Sequence, residues 1–141
     1  MVRINIINPK SLADQHLIAE YNEILMLMGY ARKYKNLPYK CPERYCLGNG
    51  HIIFFKNKLG YLKRRHEMLK KEMQKRGFRT SKTISLKYFP ERMKNNWAAS
   101  EKDKNIIKKR IIEKIRLKPA FYRYYGKKRK PSFLINLINN S

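Results

Sequence analysis

Apolar residues recur every three or four positions in three stretches of the chain, which is the spacing of a helix with one buried face. The first helix is predicted to begin at Ser11, where Asp14 three residues later gives a capping-box-like start, and to end at Gly29. Its apolar face comprises Leu17, Ile18, Tyr21, Ile24, Leu25 and Met28. This stretch is therefore predicted to be an amphipathic helix that packs on a core.

Two further helices follow from the same pattern. The second has its apolar repeat at Leu59, Leu62, His66, Leu69 and Met73. Arg76-Gly77-Phe78 after it is typical of a Schellman turn with its hydrophobic contact. The third helix is predicted from the Ser100–Asp103 capping box to about Arg116, with Pro119 beyond its end. Its core stripe is Ile107, Ile111 and Ile115.

The remaining segments are predicted to be irregular. Residues 30–57 read as a long folded connection in which HIIFF (51–55) is a buried turn or a short strand, and 79–97 contains Pro90. The fold class predicted is mainly α: a compact single domain of about three helices with long irregular connections. We assign residues 1–127 to this domain and 128–141 to a basic and apolar C-terminal tail, loosely held at LINLINNS.

Charge changes the picture from a generic helical domain to a polyanion-binding protein. Lysine and arginine total 34 against 10 acidic residues, a formal net charge of +24. The mutual repulsion of these charges opposes compactness unless a partner neutralises them. A nucleic acid is such a partner, because each lysine or arginine that contacts a phosphate releases counterions and so favours binding. A membrane is the weaker candidate, because no apolar run approaches about 18 residues and no signal peptide is evident. We expect a cytoplasmic protein, or a nuclear or viral one in a nucleated host, that is not secreted.

The two cysteines, Cys41 and Cys46, are expected to be free thiols. Their CPERYC spacing is not that of a zinc ribbon or a thioredoxin motif, and no second pair completes a tetrahedral site. His51 lies near in sequence, yet it and His66 are expected to be structural. No metal or other cofactor is predicted.

The amino end carries candidate chemistry. Removal of Met1, which the small Val2 permits, would leave an α-amine, whose reference pKa of about 7.7–8.0 makes it a better nucleophile at neutral pH than lysine. Cations such as Arg3 would lower that pKa further. His16, Glu20 and Glu23 fall within about 60° of one another on the polar side of the first helix. An amine and a carboxylate are the minimum equipment for imine chemistry, with Glu23 able to stabilise a cationic sugar and move protons.

Several motifs carry a family resemblance. They are RIN, LADQHLIAEY followed by Glu23, LGNGHIIFF with KL and LKRR after it, KRGF, and PAFYRYYGK, in order from residue 3 to about residue 127. In these the chain resembles the pyrimidine-dimer DNA glycosylase/AP lyase family, the phage-type endonuclease V. The resemblance implies a metal-independent, monomeric enzyme that acts on double-stranded DNA containing pyrimidine dimers or abasic sites. Such an enzyme flips out the base opposite the dimer, displaces the 5′ pyrimidine with its terminal amine, and nicks the strand by β-elimination.

The resemblance also implies roles for particular residues. The catalytic pair is Val2, as the nucleophile, and Glu23. The DNA-binding residues it implies are Arg3, His16, Arg110, Lys114, Tyr122, Tyr124, Tyr125 and Lys127. Four positions depart from the phage pattern: Asn22 and Met26 stand where that enzyme has arginines, Phe121 where it has tryptophan, and Val2 where it has threonine. The first two departures place lesion affinity in question more than chemistry.

Other readings of these residues remain open. Glu23 alone would be a solvated helix carboxylate, His16 a structural hydrogen-bonding group, and the tyrosines core packing. The basic run 127–130 could be a nuclear-import signal or a source of non-specific DNA affinity. Two other functions are a non-catalytic DNA-compacting or RNA-binding protein, and a repair lyase whose preference has shifted towards abasic or oxidised sites.

Overall fold

The computed structural model describes residues 3–33 and 42–141, and these form a compact, mainly helical single domain, as predicted. In this part of the chain the helices are α1 (Asp14–Lys33), α2 (Gly50–Phe55), α3 (Leu59–Lys75), α4 (Glu101–Leu117) and α5 (Pro131–Asn139). An antiparallel hairpin of β1 (Arg123–Tyr124) and β2 (Lys127–Lys128) lies between α4 and α5. The main helix pairs are α1 with α3 and α4 with α5. None of the described helices is long and apolar enough to cross a bilayer.

Helix α1 differs from the prediction at both ends. Ser11 belongs to a preceding 3-10 turn, Pro9–Ser11, and the helix begins at Asp14. It continues past Gly29 to Lys33 because its buried face extends to Ala31, which is fully buried. Packing therefore outweighs the roughly 1 kcal/mol that a helical glycine costs relative to alanine.

The HIIFF segment is a helix, so the prediction of a turn or strand was wrong. Helix α2 buries His51, Phe54 and Phe55, which follow helical rather than alternating spacing. The two phenylalanine rings pack edge-on against Trp97 at centroid distances of 5.2 and 5.7 Å. At six residues the element is too short for periodicity to distinguish a helix from a strand.

The predicted end of α3 and the predicted start of α4 are confirmed. After α3, the Phe78 amide donates to the Met73 carbonyl at 2.9 Å and the Gly77 amide to that of Gln74 at 3.0 Å, the two bonds of a Schellman motif. Gly77 has φ of +87°, which favours glycine. At the start of α4, Ser100 Oγ accepts from the Asp103 amide and the Asp103 carboxylate accepts from the Ser100 amide, a complete capping box.

The last residues are folded, so the expectation of a loosely held tail was wrong. Pro131 occupies the first turn of α5, and Leu134 and Ile138 are buried in the core of the protein. The Lys108 ammonium on α4 donates to the Ser141 carbonyl at 2.7 Å. The division of the chain at residue 127 stays a prediction.

The polar side of α1 is not uniformly exposed. Glu20 is fully buried and receives two hydrogen bonds from the Arg65 guanidinium, from Nε at 2.7 Å and from Nη2 at 3.0 Å. A third guanidinium nitrogen donates to the Ile7 carbonyl. Glu20 therefore joins α1 to α3 and does not share the surface with His16 and Glu23.

Arg65→Met is expected to lower the free energy of unfolding by about 3–5 kcal/mol, because the Glu20 carboxylate would stay buried without its partner. Urea denaturation of the variant measures this loss. The double variant Glu20→Leu/Arg65→Met is the matched control and should recover most of it. A loss below about 1 kcal/mol in the single variant would show that Glu20 is stabilised in another way.

Candidate functional site

A small cavity lies between α1, α4 and the segment that leads into β1. Its volume is about 230 Å³. The residues lining it are Arg3, Asn5, Gln15, His16, Ala19, Arg110, Ile111, Lys114, Phe121 and Tyr122. Five of these, Arg3, His16, Arg110, Lys114 and Tyr122, were predicted from the sequence as DNA-binding residues. The fold thus brings together positions up to 119 residues apart, from Arg3 to Tyr122.

The cavity is electropositive. Arg110 and Lys114 are one turn apart on α4 and face the cavity together with Ile111, whose buried side chain fixes this orientation of the helix. Arg3 supplies a third cation, and no carboxylate is present among the described residues that line the cavity. The buried Nε of Arg110 makes no hydrogen bond. Like charges held together in this way favour an anionic ligand. In nucleic acids that anion is the phosphate group, which arginine and lysine bind well.

His16 forms part of the cavity wall. Its ring lies 4.6 Å from that of Tyr122, and its Nδ1 is buried without a hydrogen-bond partner. Burial, helped by the charge of Lys114, lowers the pKa of His16 to about 4. The ring is therefore neutral at pH 7, so it can donate or accept a hydrogen bond but adds no positive charge to the cavity.

Glu23 lies on the same face of α1, farther along the helix. His16, Ala19 and Glu23 are at positions i, i+3 and i+7, so Glu23 continues the row that forms the cavity wall. Burial raises the pKa of the Glu23 carboxyl above its usual range, and the positive charge of Arg3 acts in the opposite direction. Arg3 thus couples electrostatically to Glu23 while it also lines the cavity.

A second, mostly apolar depression adjoins Glu23 on its other side. Its volume is about 370 Å³, and it is lined by Glu23, Met26, Leu27, Tyr30, Asn49, Ile52 and Ile53. The Met26 side chain is 69% exposed, and Asn22 is also exposed. The surface of α1 next to the carboxylate is therefore neutral at both of these positions.

Tyr124, Tyr125 and Lys127 lie outside the cavity, in the hairpin. The Tyr124 and Tyr125 rings lie over the Arg76 guanidinium, with centroids 4.5 and 5.0 Å from its Cζ. The Tyr124 hydroxyl donates to the Lys10 carbonyl at 2.9 Å, whereas Tyr125 is 40% exposed and Lys127 is exposed. Tyr124 is thus held in a structural contact. The DNA-binding roles predicted for Tyr124, Tyr125 and Lys127 stay predictions.

Asp14 anchors the hairpin and does not cap α1 in the way the sequence suggested. Its carboxylate accepts from the Tyr125 amide at 3.0 Å and the Gly126 amide at 2.7 Å, and it pairs with Arg76 at 3.0 Å. Both turn residues have positive φ, 55° for Tyr125 and 77° for Gly126, as a two-residue type I′ hairpin requires. The hairpin is therefore fixed to the start of α1.

Sequence reasoning did not single out Gln15 and Asn5, which also line the cavity. The Gln15 amide donates to the Phe121 carbonyl at 2.7 Å and accepts from the Arg123 amide at 2.9 Å. This pair of bonds positions the Phe121–Tyr122 segment at the cavity. The only sequence signal for Gln15 was its place beside His16 in the LADQH motif.

His51 is structural, as predicted. Its Nε2 accepts from the Ile4 amide at 2.9 Å and its Nδ1 donates to the Cys46 carbonyl at 3.0 Å. Burial lowers the pKa of His51 to about 4. Cys46 is a free thiol, whereas Cys41 and Val2 lie outside the described residues. Across residues 3–33 and 42–141, no three His, Cys, Asp or Glu side chains are placed to share a metal ion.

Comparison with known families adds one finding. A family model described as pyrimidine dimer DNA glycosylase matches residues 1–86, which is more than half of the chain. The matched span contains Arg3, His16 and Glu23. It ends before α4 and the hairpin, so the link from Arg110, Lys114 and Tyr122 to the same site rests on the cavity they share with Arg3 and His16.

Proposed function

Because the chain belongs to the pyrimidine dimer DNA glycosylase family, we propose that it excises the 5′ base of ultraviolet-induced cyclobutane pyrimidine dimers and then nicks the strand at the resulting abasic site. The family makes it a DNA repair glycosylase whose substrate is DNA. The observation that carries the finer proposal is the cavity with three cations beside the partly buried Glu23. We extend the proposal to pre-formed abasic sites in duplex DNA and to a monomeric enzyme.

The proposed nucleophile is the α-amine of Val2, exposed by removal of Met1. Val2 is bonded to Arg3, which lines the cavity. The amine nitrogen forms a bond to C1′ of the 5′ nucleotide while the bond from C1′ to the pyrimidine breaks. The displaced base takes up a proton and stays attached to its 3′ neighbour through the cyclobutane ring. The C1′–O4′ bond of the sugar ring then breaks as the amine nitrogen loses its proton, O4′ takes up a proton, and an imine forms between protein and sugar.

The proposed roles of Glu23 follow from its charge and burial. As a carboxylate it stabilises the cationic sugar during displacement, an interaction that partial burial strengthens. As a base it assists removal of a C2′ proton from the imine, after which the C3′–oxygen bond breaks and the strand is nicked. Water then hydrolyses the imine and frees the amine. The raised pKa of Glu23 suits a group that accepts and returns a proton within one cycle.

Arg3, Arg110 and Lys114 are proposed to hold the phosphates next to the lesion. Their charges converge on the cavity, where they position the sugar against the amine and carboxylate. The neutral His16, whose ring packs at a tilt against that of Tyr122, would hydrogen-bond to a phosphate or sugar oxygen. In this arrangement the cavity wall holds only cations for the phosphates, and the catalytic carboxylate of Glu23 lies next to that wall on α1.

We expect the protein to nick ultraviolet-irradiated supercoiled DNA and to leave undamaged DNA intact. Gel electrophoresis of the two plasmids measures this directly. Irradiated plasmid whose cyclobutane dimers have been reversed by photolyase is the matched control, and nicking of it should fall close to the undamaged level. Equal nicking before and after reversal would show that the enzyme acts on another lesion, and nicking of abasic plasmid alone would identify it as a lyase with shifted preference.

A further inference from the structure

A second concave surface lies outside the cavity, where β2 meets α5. Its volume is about 640 Å³, and it is lined by Lys128, Arg129, Lys130, Ser132, Phe133 and Asn136. We call this surface the terminal groove. All six side chains are exposed, and none of its three cations forms an ion pair with a carboxylate of the described residues. The groove is therefore a concentrated positive surface with neutral polar groups beside it.

The backbone of the terminal groove is fixed from both ends. On one side, β2 pairs with β1 through the hairpin whose turn is bound by Asp14. On the other side, α5 packs on the core through Leu134 and Ile138. Between them the Arg129 guanidinium lies 4.8 Å from the centroid of the Phe133 ring. The cations are thus presented by an ordered framework, which lowers the entropic cost of using them together.

The terminal groove lies close to the cavity. Tyr122 lines the cavity, and the next residue, Arg123, is directly opposite Lys128 in the hairpin. One residue along the strand, about 3.3 Å, and one step across to the partner strand, about 4.8 Å, separate the backbones of Tyr122 and Lys128 by at most about 8 Å. A duplex covers that distance in about two to three base pairs at about 3.4 Å each.

We propose that the terminal groove binds the phosphodiester backbone of the duplex flanking the lesion while the cavity holds the lesion itself. This inference rests on the proposed function, because it takes the cavity as the lesion site. The chemistry of the groove suits phosphates: three cations, with the Ser132 hydroxyl and the Asn136 amide as neutral hydrogen-bond donors. Its proximity to an equally basic cavity favours the same DNA molecule over an acidic protein, since one duplex neutralises both surfaces.

The expected contribution of the terminal groove can be stated as a salt dependence. Each phosphate contact adds about −0.9 to the slope of log K against log salt concentration, so three contacts add about −2.7. Between 50 and 200 mM salt this corresponds to about a 40-fold change in affinity. Contacts of this kind carry no sequence information, and they increase residence at a lesion without altering the chemistry.

The test compares the triple variant Lys128→Gln/Arg129→Gln/Lys130→Gln with the matched control Lys63→Gln/Lys71→Gln/Lys75→Gln on α3. The control removes the same charge from exposed positions that line neither the cavity nor the terminal groove. Affinity for a 30-base-pair duplex carrying a stable abasic-site analogue is measured from about 50 to 200 mM salt. We expect the salt slope to fall by about two to three for the groove variant and by less than one for the control.

Two further 30-base-pair duplexes, with the analogue one base pair from one end or from the other, test whether the contact is to flanking DNA. Wild-type protein should show a reduced salt slope on the duplex that lacks the flank facing the terminal groove, whereas the groove variant should show the same slope on all three duplexes. Equal slopes for the groove variant and the control, or an unchanged gain from that flank in the groove variant, would overturn the proposal. Covalent trapping on an abasic duplex tests the chemistry separately. If no trapped adduct forms, the proposed function is wrong, whereas the salt slopes alone decide whether the terminal groove binds flanking DNA.

Discussion

Glu23→Gln is expected to lower the rate of strand cleavage at a pyrimidine dimer by about 10²–10⁴-fold while damaged DNA still binds with nearly wild-type affinity. Glutamine keeps the size and hydrogen-bonding shape of the side chain but has no negative charge to stabilise a cationic sugar and cannot accept a proton. Single-turnover cleavage on a duplex with one defined dimer measures the rate, and equilibrium binding to the same duplex measures affinity. The variant also removes a carboxylate near Arg3, which favours binding of a polyanion.

Glu113→Gln provides the matched control, because Glu113 is an exposed glutamate on α4 that lines neither the cavity nor the depression beside Glu23. It should cleave at the wild-type rate.

The pH profile of cleavage separates a catalytic role of Glu23 from a structural one. Since burial raises the pKa of Glu23, wild-type activity should be present above that raised pKa and be lost as pH falls through it. The Gln variant should lack this acid limb, and unchanged cleavage by it would show that the carboxylate assignment is wrong.

Blocking the α-amine of Val2 is expected to abolish cleavage. An N-acetylated amine is neutral and non-nucleophilic, so neither displacement of the base nor imine formation can begin. The cations of the cavity are untouched, and binding to damaged DNA should therefore change by only a few fold. Mass spectrometry of the intact protein verifies the state of the terminus before cleavage is assayed.

Val2→Thr with a free amine is the control for this change. The nucleophile is a main-chain nitrogen, so the side chain at this position should have little effect, and the variant should cleave at close to the wild-type rate. Cleavage by the acetylated protein at the wild-type rate would place the nucleophile elsewhere, on a lysine in or near the cavity.

The fold was predictable where local chemistry determines it. The Ser100–Asp103 capping box and the Arg76-Gly77-Phe78 stop depend on residues within a few positions of each other, and both form as predicted. The start of α1 was mispredicted because Asp14 has its partners far away in sequence, at Arg76 and Gly126. The helix in HIIFF and the packing of α5 likewise depend on tertiary contacts, with Trp97 and with the core, that no local pattern reveals.

The residues of the site were predictable where they belong to motifs of the family. Arg3, His16, Arg110, Lys114 and Tyr122 line one cavity, although only the resemblance joined them beforehand. Periodicity placed Glu20 beside Glu23, yet the buried pairing of Glu20 with Arg65 removes it from the surface. Tyr124 packs over Arg76, a contact 48 residues apart in sequence, and the cavity role of Gln15 arises from its bonds to Phe121 and Arg123.

The proposed function depends on imine chemistry that a terminal amine and Glu23 carry out on damaged DNA. The most direct measurement is reduction with borohydride during reaction with a duplex containing one dimer, followed by peptide mapping of the covalent adduct. We expect a protein–DNA adduct whose only modified peptide begins at Val2, with the DNA on its α-nitrogen. No adduct from protein that has a free Val2 terminus, or an adduct that maps to a lysine, would contradict it.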